Sequence, residues 1–192
     1  LIVRRVQSTE KANQVSAEQI GTLVTDETLP FKDELCVLVE DSAYSARSHL
    51  GSVAVHKNLI SVIRFPINRV VYRKFEMPEG ETITAGHPVW YGDCFDLKNP
   101  DTWPEPDEMA VTTLVTKKGK TYTVQLEGWH NMVRTGKKDI PMHKYPFTLV
   151  RARVLDADGN PVFKHDMWLL AIGERRRELS LVDIWTAYSQ RY

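Results

Sequence analysis

Asp41 is the side chain in this sequence whose setting points most directly to chemistry. It follows Leu35 to Val39 (Leu-Cys-Val-Leu-Val), a continuous apolar run of strand length, and with Glu40 forms an acidic pair at that run's C-terminal end. The carboxyl edge of a buried strand is where α/β sheets place their reactive groups. An acid at that position also serves as an ordinary cap of a turn or helix. The second concentration of chemistry is basic. From Lys117 to Arg153 the chain carries nine cations (Lys117, Lys118, Lys120, Arg134, Lys137, Lys138, Lys144, Arg151 and Arg153) against Glu127 and Asp139. Such a surplus could track a phosphate backbone, with Tyr122, Trp129 and Tyr145 as flat apolar contacts, and it reads equally as a solvated hairpin face. The triplet Arg175-Arg176-Arg177 has the same two readings.

Other chemistries find less support. The six histidines (His49, His56, His87, His130, His143 and His165) show no i, i+4 pair and no zinc spacing, and are expected to be scattered surface or half-buried residues. Ser45 and Ser48 beside His49 lack a Gly-x-Ser-x-Gly setting, so no hydrolase triad is indicated. Asp156-Ala157-Asp158-Gly159 has its glycine too early for a calcium loop, and position twelve would be Met167, so it reads as a turn.

The elements that must position these groups follow from the pattern. With 192 residues, 42% of them apolar and 26% charged, the chain has the size and composition of one ordinary globular domain or a domain with a modest appendage. Twenty-five basic residues balance twenty-five acidic ones, so any polyanion contact must be local. No run is long enough for a membrane span. Cys36 and Cys94 form no framework and read as reduced thiols of a cytoplasmic protein. The spacing predicts a strand at Leu1 to Val6, a helix from a Ser16 cap, a strand at Leu35 to Val39, a helix from Ser45 to Val55 and a strand at Leu59 to Phe65. Phe75 to Pro106 reads as a connection. Two hairpins follow, Val111 to Thr116 with Thr121 to Leu126, and Phe147 to Leu155 with Val162 to Ile172. The last element is a helix whose Leu181, Ile184, Trp185 and Tyr188 share one face, opened by a capping box of Ser180 and Asp183.

Two of these segments carry a family resemblance. Cys36-Val37-Leu38-Val39-Glu40-Asp41-Ser42-Ala43-Tyr44-Ser45, followed by a helix and the strand ending Ile63-Arg64-Phe65, resembles the second-aspartate motif of the DDE transposases of bacterial insertion sequences. Tyr188-Ser189-Gln190-Arg191 resembles the opening of that family's Tyr-x2-Arg-x3-Glu-x6-Lys signature, in which Tyr, Arg and Glu project from one helix face. By that signature the Glu would stand three positions beyond Tyr192, and Asp26 and Asp33 lie too close to Asp41 to be the first aspartate.

The resemblance implies an α/β fold: a partial ribonuclease H-like core (1–75), a β-rich insertion (76–161), and a return strand with the start of the signature helix (162–192). Asp41 should then end a central strand, beside the helix bearing Tyr188 and Arg191. The implied reaction is metal-dependent DNA strand cleavage and transfer at transposon ends, using Mg²⁺, with Mn²⁺ as substitute, in the intact parent protein. Asp41 is the one catalytic and metal-binding residue it places, so the chain reads as an internal fragment, inactive as it stands. Tyr188, Arg191, Arg64, Asn68 and Arg69 would contact DNA, joined by Lys117, Lys118, Lys120, Lys137 and Lys138 of the basic segment. The family's polar run after the second strand is replaced here by Phe65-Pro66-Ile67. The implied partner is DNA, bound by a homodimer of the intact parent. Two other readings stay open: a non-catalytic nucleic-acid or protein binding module in which Asp41 only caps a turn, and a metal-dependent nuclease unrelated to transposition.

Overall fold

The computed structural model describes residues 6–77, 80 and 89–191. The strand expected at Leu1 to Val6 falls mostly outside them, as do His87 and Tyr192. The described chain is mixed α/β: three helices, α1 (Ala12–Thr25), α2 (Arg47–Val53) and α3 (Leu181–Ser189), and eight strands, β1 (Cys36–Glu40), β2 (Leu59–Arg64), β3 (Val70–Lys74), β4 (Tyr91–Asp96), β5 (Glu108–Val115), β6 (Thr121–Val133), β7 (Phe147–Leu155) and β8 (Met167–Ile172). All eight belong to one sheet in the order β1-β2-β8-β7-β6-β3-β4, with β5 on β6.

The β1-α2-β2 unit is the strand, helix, strand unit read from the sequence, and its two strands pair in parallel, Cys36 beside Leu59 through Glu40 beside Ile63. Every other pairing is antiparallel. β8 lies against β2, Ser61 beside Ile172 and Arg64 beside Leu169, so residues more than a hundred positions apart are neighbours. This mixed sheet with its helices is consistent with a ribonuclease H-like nuclease core.

Several boundaries differ from the sequence reading, each for a physical reason. α1 begins at Ala12 with no side-chain cap, where Ser16 had been expected to start it. Its start is fixed by docking instead: Asn13 donates to the Ala43 carbonyl (3.0 Å). α2 begins at Arg47 because Ser42–Tyr44 forms a 3-10 turn closed by Ser45. β3 and β4 were not anticipated; β4 is Tyr-Gly-Asp-Cys-Phe-Asp, poor in strand-forming residues, and owes its conformation to pairing with β3. The strand expected from Val162 starts only at Met167, after Pro161 has made a single bridge to Leu155. Asp156 to Asn160 is a turn, in which Asp156 Oδ1 accepts from the amides of Asp158 and Asn160.

The sheet is covered on both faces. On one, α2 contributes Leu50 and Val53 to a cluster with Phe65, Phe95, Trp129, Phe147 and Trp168. Phe95 of β4 meets Trp168 of β8 edge to face at 5.9 Å. Four strand spacings separate these elements along the sheet, about 19 Å if flat, so the sheet must coil strongly over its aromatic core. On the other face, Leu181, Ile184, Trp185 and Tyr188 of α3 pack on Ile60, Val62, Val124, Val150 and Leu169. The Ser180 and Asp183 capping box is present, with Asp183 N–H to Ser180 Oγ at 3.1 Å and Ser180 N–H to Asp183 Oδ2 at 3.0 Å.

Gly173, directly after β8, has φ +149°, and a Cβ there would lie 2.4 Å from the Leu59 carbonyl oxygen. That oxygen belongs to the first residue of β2, where nothing can yield without disturbing the pairing. Gly173→Ala should destabilise the protein by about 1–3 kcal/mol, measured as a lower urea midpoint with unchanged m.

Candidate functional site

Asp41 stands at the C-terminal end of β1, where it caps the 3-10 turn: its Oδ1 accepts from the Ser42 N–H at 2.6 Å. Its Oδ2 lies 3.4 Å from Arg191 Nη2, just beyond α3. Two residues separated by 150 positions, each singled out from its own sequence motif, are thus brought together. Asp41 is held below the usual carboxylate range chiefly by the Ser42 N–H; partial burial opposes this and Arg191 reinforces it. Continuing the β1–β2 register places Asp41 level with Arg64, the exposed last residue of β2.

The strand is not central among the described residues. β1 pairs with β2 on one side only and forms an end of the sheet order, whereas a central strand had been expected. Parallel pairing to β2, visible in the sequence as a strand, helix, strand unit, does not by itself say what lies on the other side.

Glu40, the last residue of β1, turns toward α2, whereas Asp41, in extended backbone just past the strand, reaches Arg191 beyond α3 on the other face. Glu40 is buried, and its Oε1 lies 2.7 Å from Nε2 of His49, itself 1% exposed. The other His49 nitrogen is 3.2 Å from the Asn13 carbonyl, and the ring tilts against Tyr44. His49 is therefore neither a surface nor a half-buried histidine but a fully buried one. The signal for its burial was the α2 pattern, since His49, Leu50 and Val53 share the inward face. Burial alone would lower the His49 pKa, but the hydrogen bond and charge of Glu40 together with the Asn13 carbonyl outweigh it and raise the value above the ordinary 6.5.

A groove of about 840 Å³ runs beside this edge, lined by Arg64, Lys117, Lys118, Lys120, Tyr122, Trp185 and Tyr188. It gathers five of the expected DNA-contacting residues. Tyr188 forms part of its floor and is only 1% exposed, seated in the α3–sheet contact. Asn68 is exposed and Arg69 half-buried in the β2–β3 connection, and Lys137 and Lys138 are exposed in the loop after β6; none of these four lines the groove. The remaining basic residues divide. Arg151 bridges Asp166 and Glu127 and lies 4.8 Å over the Trp103 ring, and Arg153 also pairs with Asp166. Arg175 pairs with Glu178, and Arg176 donates to Asn131 Oδ1. These cations serve the fold.

A divalent ion of the implied kind would need several carboxylates around Asp41. Glu40 faces away, and among the described residues no three His, Cys, Asp or Glu side chains converge as ligands. The described residues therefore do not by themselves fit a two-metal centre.

The raised His49 pKa has a thermodynamic sign. The folded value exceeds the unfolded one, so the stabilisation is fully present below about pH 6.5 and fades as pH rises through the folded midpoint. Urea unfolding between about pH 6 and 9 should show stability falling with pH in the wild-type protein and a flatter profile in His49→Gln.

No helix of the described residues is long and apolar enough to cross a membrane. No curated protein sequence matches the chain significantly. The family model described as DDE superfamily endonuclease matches residues 3–135, a span that includes β1, Asp41, β2 and the strands through β6. A match over more than half of the chain, on a mixed α/β sheet with an acid at the end of a parallel strand, establishes the relationship: this chain belongs to the DDE superfamily endonuclease family, whose substrate is DNA and whose chemistry uses divalent metals.

Proposed function

We propose that this chain is the part of an insertion-sequence transposase that holds DNA beside the second-aspartate strand, acting in the cytoplasm on transposon ends. The observation that carries the proposal is the 3.4 Å approach of Arg191 to Asp41, because it joins two motif residues from opposite ends of the chain at one edge of the sheet. Arg191 offers a planar fork of donors suited to a phosphate next to the carboxylate. Arg64 and the Lys117, Lys118 and Lys120 turn extend positive charge along the adjoining groove, and Tyr188 and Trp185 give it an apolar floor. Asn68, Arg69, Lys137 and Lys138 continue the contact outside that groove.

In this reading Asp41 is one ligand of a Mg²⁺ site, replaceable by Mn²⁺, in the intact parent, which works as a homodimer on DNA. Residues 1–75 and 162–192 are its core pieces, and 76–161 the β-rich insertion. Because the described residues bring no further acids to Asp41, residues 1–192 alone should bind DNA without cutting it. A second reading, a non-catalytic binding module, has its own support in the Ser42 N–H bond, which gives Asp41 a purely structural task as a turn cap.

The test is to purify residues 1–192 and follow binding to duplex DNA by fluorescence anisotropy across a salt series, with nicking assayed in Mg²⁺ and Mn²⁺. Binding should weaken steeply with salt, and replacing Lys117, Lys118 and Lys120 together by Gln should make the log–log slope shallower by about 2–3. Asp41→Ala should leave binding intact. Absence of DNA binding would defeat the proposal, and metal-dependent nicking lost in Asp41→Ala would show that the chain holds a complete site.

A further inference from the structure

Among the described residues Arg47, Arg69 and Arg134, like Arg176 and Arg177, lie outside the groove and form no ion pair. Arg47 opens α2, Arg69 lies between β2 and β3, and Arg134 directly follows β6. Arg134 is 5% exposed; its Nη1 donates to the Ser45 carbonyl at 2.7 Å and its guanidinium lies 5.2 Å from the centre of the Phe65 ring. Arg47 Nη2 reaches back to Thr135 Oγ1 at 3.0 Å, so the Arg47 and Arg134 side chains strap the same two segments together. The Nε atoms of Arg47 and Arg69 are buried without a hydrogen-bond partner. Among the described residues none of the three arginines forms an ion pair, in contrast to Arg73, Arg151, Arg153 and Arg175, each of which has a carboxylate. Burial, and then the charges of Arg47 and Arg69, push Arg134 down to about 10.

Continuing the β3–β6 register, Tyr72 beside Val133, sets Arg134 opposite Val71, two residues from Arg69 and on the same face. Gathering three guanidiniums without an acid opposes folding, because buried charge is tolerated only when paired. The outer Nη donors of the half-buried Arg47 and Arg69 match a tetrahedral oxyanion, which would neutralise the repulsion. The location is specific. Ser45, whose carbonyl Arg134 grips, closes the 3-10 turn that Asp41 opens, through Ser45 N–H and Oγ to the Ser42 carbonyl. Four residues of such a turn span about 8 Å.

We infer that Arg47, Arg69 and Arg134 form an anion site for one phosphate group of a DNA strand, one turn away from Asp41. The inference rests on the DNA-binding reading above and adds a contact separate from the lysine turn and from Arg191.

Thermal unfolding of residues 1–192 in NaCl and in sodium phosphate at matched ionic strength, with DNA binding measured in parallel, tests it. Phosphate should raise the melting temperature of the wild-type protein. In Arg47→Gln/Arg69→Gln the phosphate-dependent rise should vanish while the melting temperature in NaCl is kept or increased, because repulsion on Arg134 is relieved. The same variant should make the salt slope of DNA binding shallower by about 1. A purely structural trio would instead lower the melting temperature equally in both salts, and that result would overturn the site. If the variant keeps the wild-type slope while the Lys117/Lys118/Lys120 variant loses affinity, DNA binding stands and this phosphate contact falls. A phosphate-dependent rise in a protein that binds no DNA would assign the site to free phosphate and overturn the DNA source.

Discussion

The antiparallel seam between β2 and β8 is the constraint on which the rest of the arrangement depends. It requires Ile172 to lie beside Ser61 after a long excursion through β3 to β7. Closing so large a loop is entropically unfavourable, and contacts of this separation form slowly. What offsets it is burial on both faces at once: five of the six β2 residues and five of the six β8 residues are buried, between the α2 side and the α3 side. Only with that seam formed does α3 lie over β1 and β2, and only then can a residue after α3 reach the end of β1.

How much of this was legible in the sequence depended on whether the signal was local. β1 and β2 were readable because apolar runs of strand length have few other uses, and α3 because Leu181, Ile184, Trp185 and Tyr188 keep helical spacing behind a capping box. The Lys117 to Lys120 turn was readable from its glycine, which takes φ +76°. β4 was not readable, since its Gly and Asp residues adopt strand geometry only through β3. Within the candidate site, Asp41 and Arg191 were legible from motif spacing, but the Glu40–His49 pair was not, because nothing local says that a histidine nine residues on will turn back under the strand. The arginine trio was equally hidden, its members coming from three unconnected segments.

Charge illustrates the same limit. The surplus of cations between Lys117 and Arg153 reads as one run, yet the structure divides it, with Arg134 buried on Phe65 and apart from both the paired arginines and the lysines. Arg151 and Arg153 lie on β7, facing Asp166 and Glu127, where paired charges and the Trp103 ring hold neighbouring segments together. The lysines occupy turns, where long, strongly hydrated side chains are free to follow a polyanion.

Among the described residues β1 pairs on one side only, which gives Asp41 and Arg191 different dynamic settings. An edge strand can fray at a free energy well below that of global unfolding, whereas a helix seated over the middle of a sheet opens only with the whole. Asp41 hangs from the first kind of element and Arg191 from the second. Transient peeling of residues 36–41 would therefore part the carboxylate from the guanidinium while the aromatic core stayed intact. In amide exchange terms, the reactive edge would carry a shorter clock than the scaffold behind it, and any strand that pairs with the other side of β1 would reset that clock.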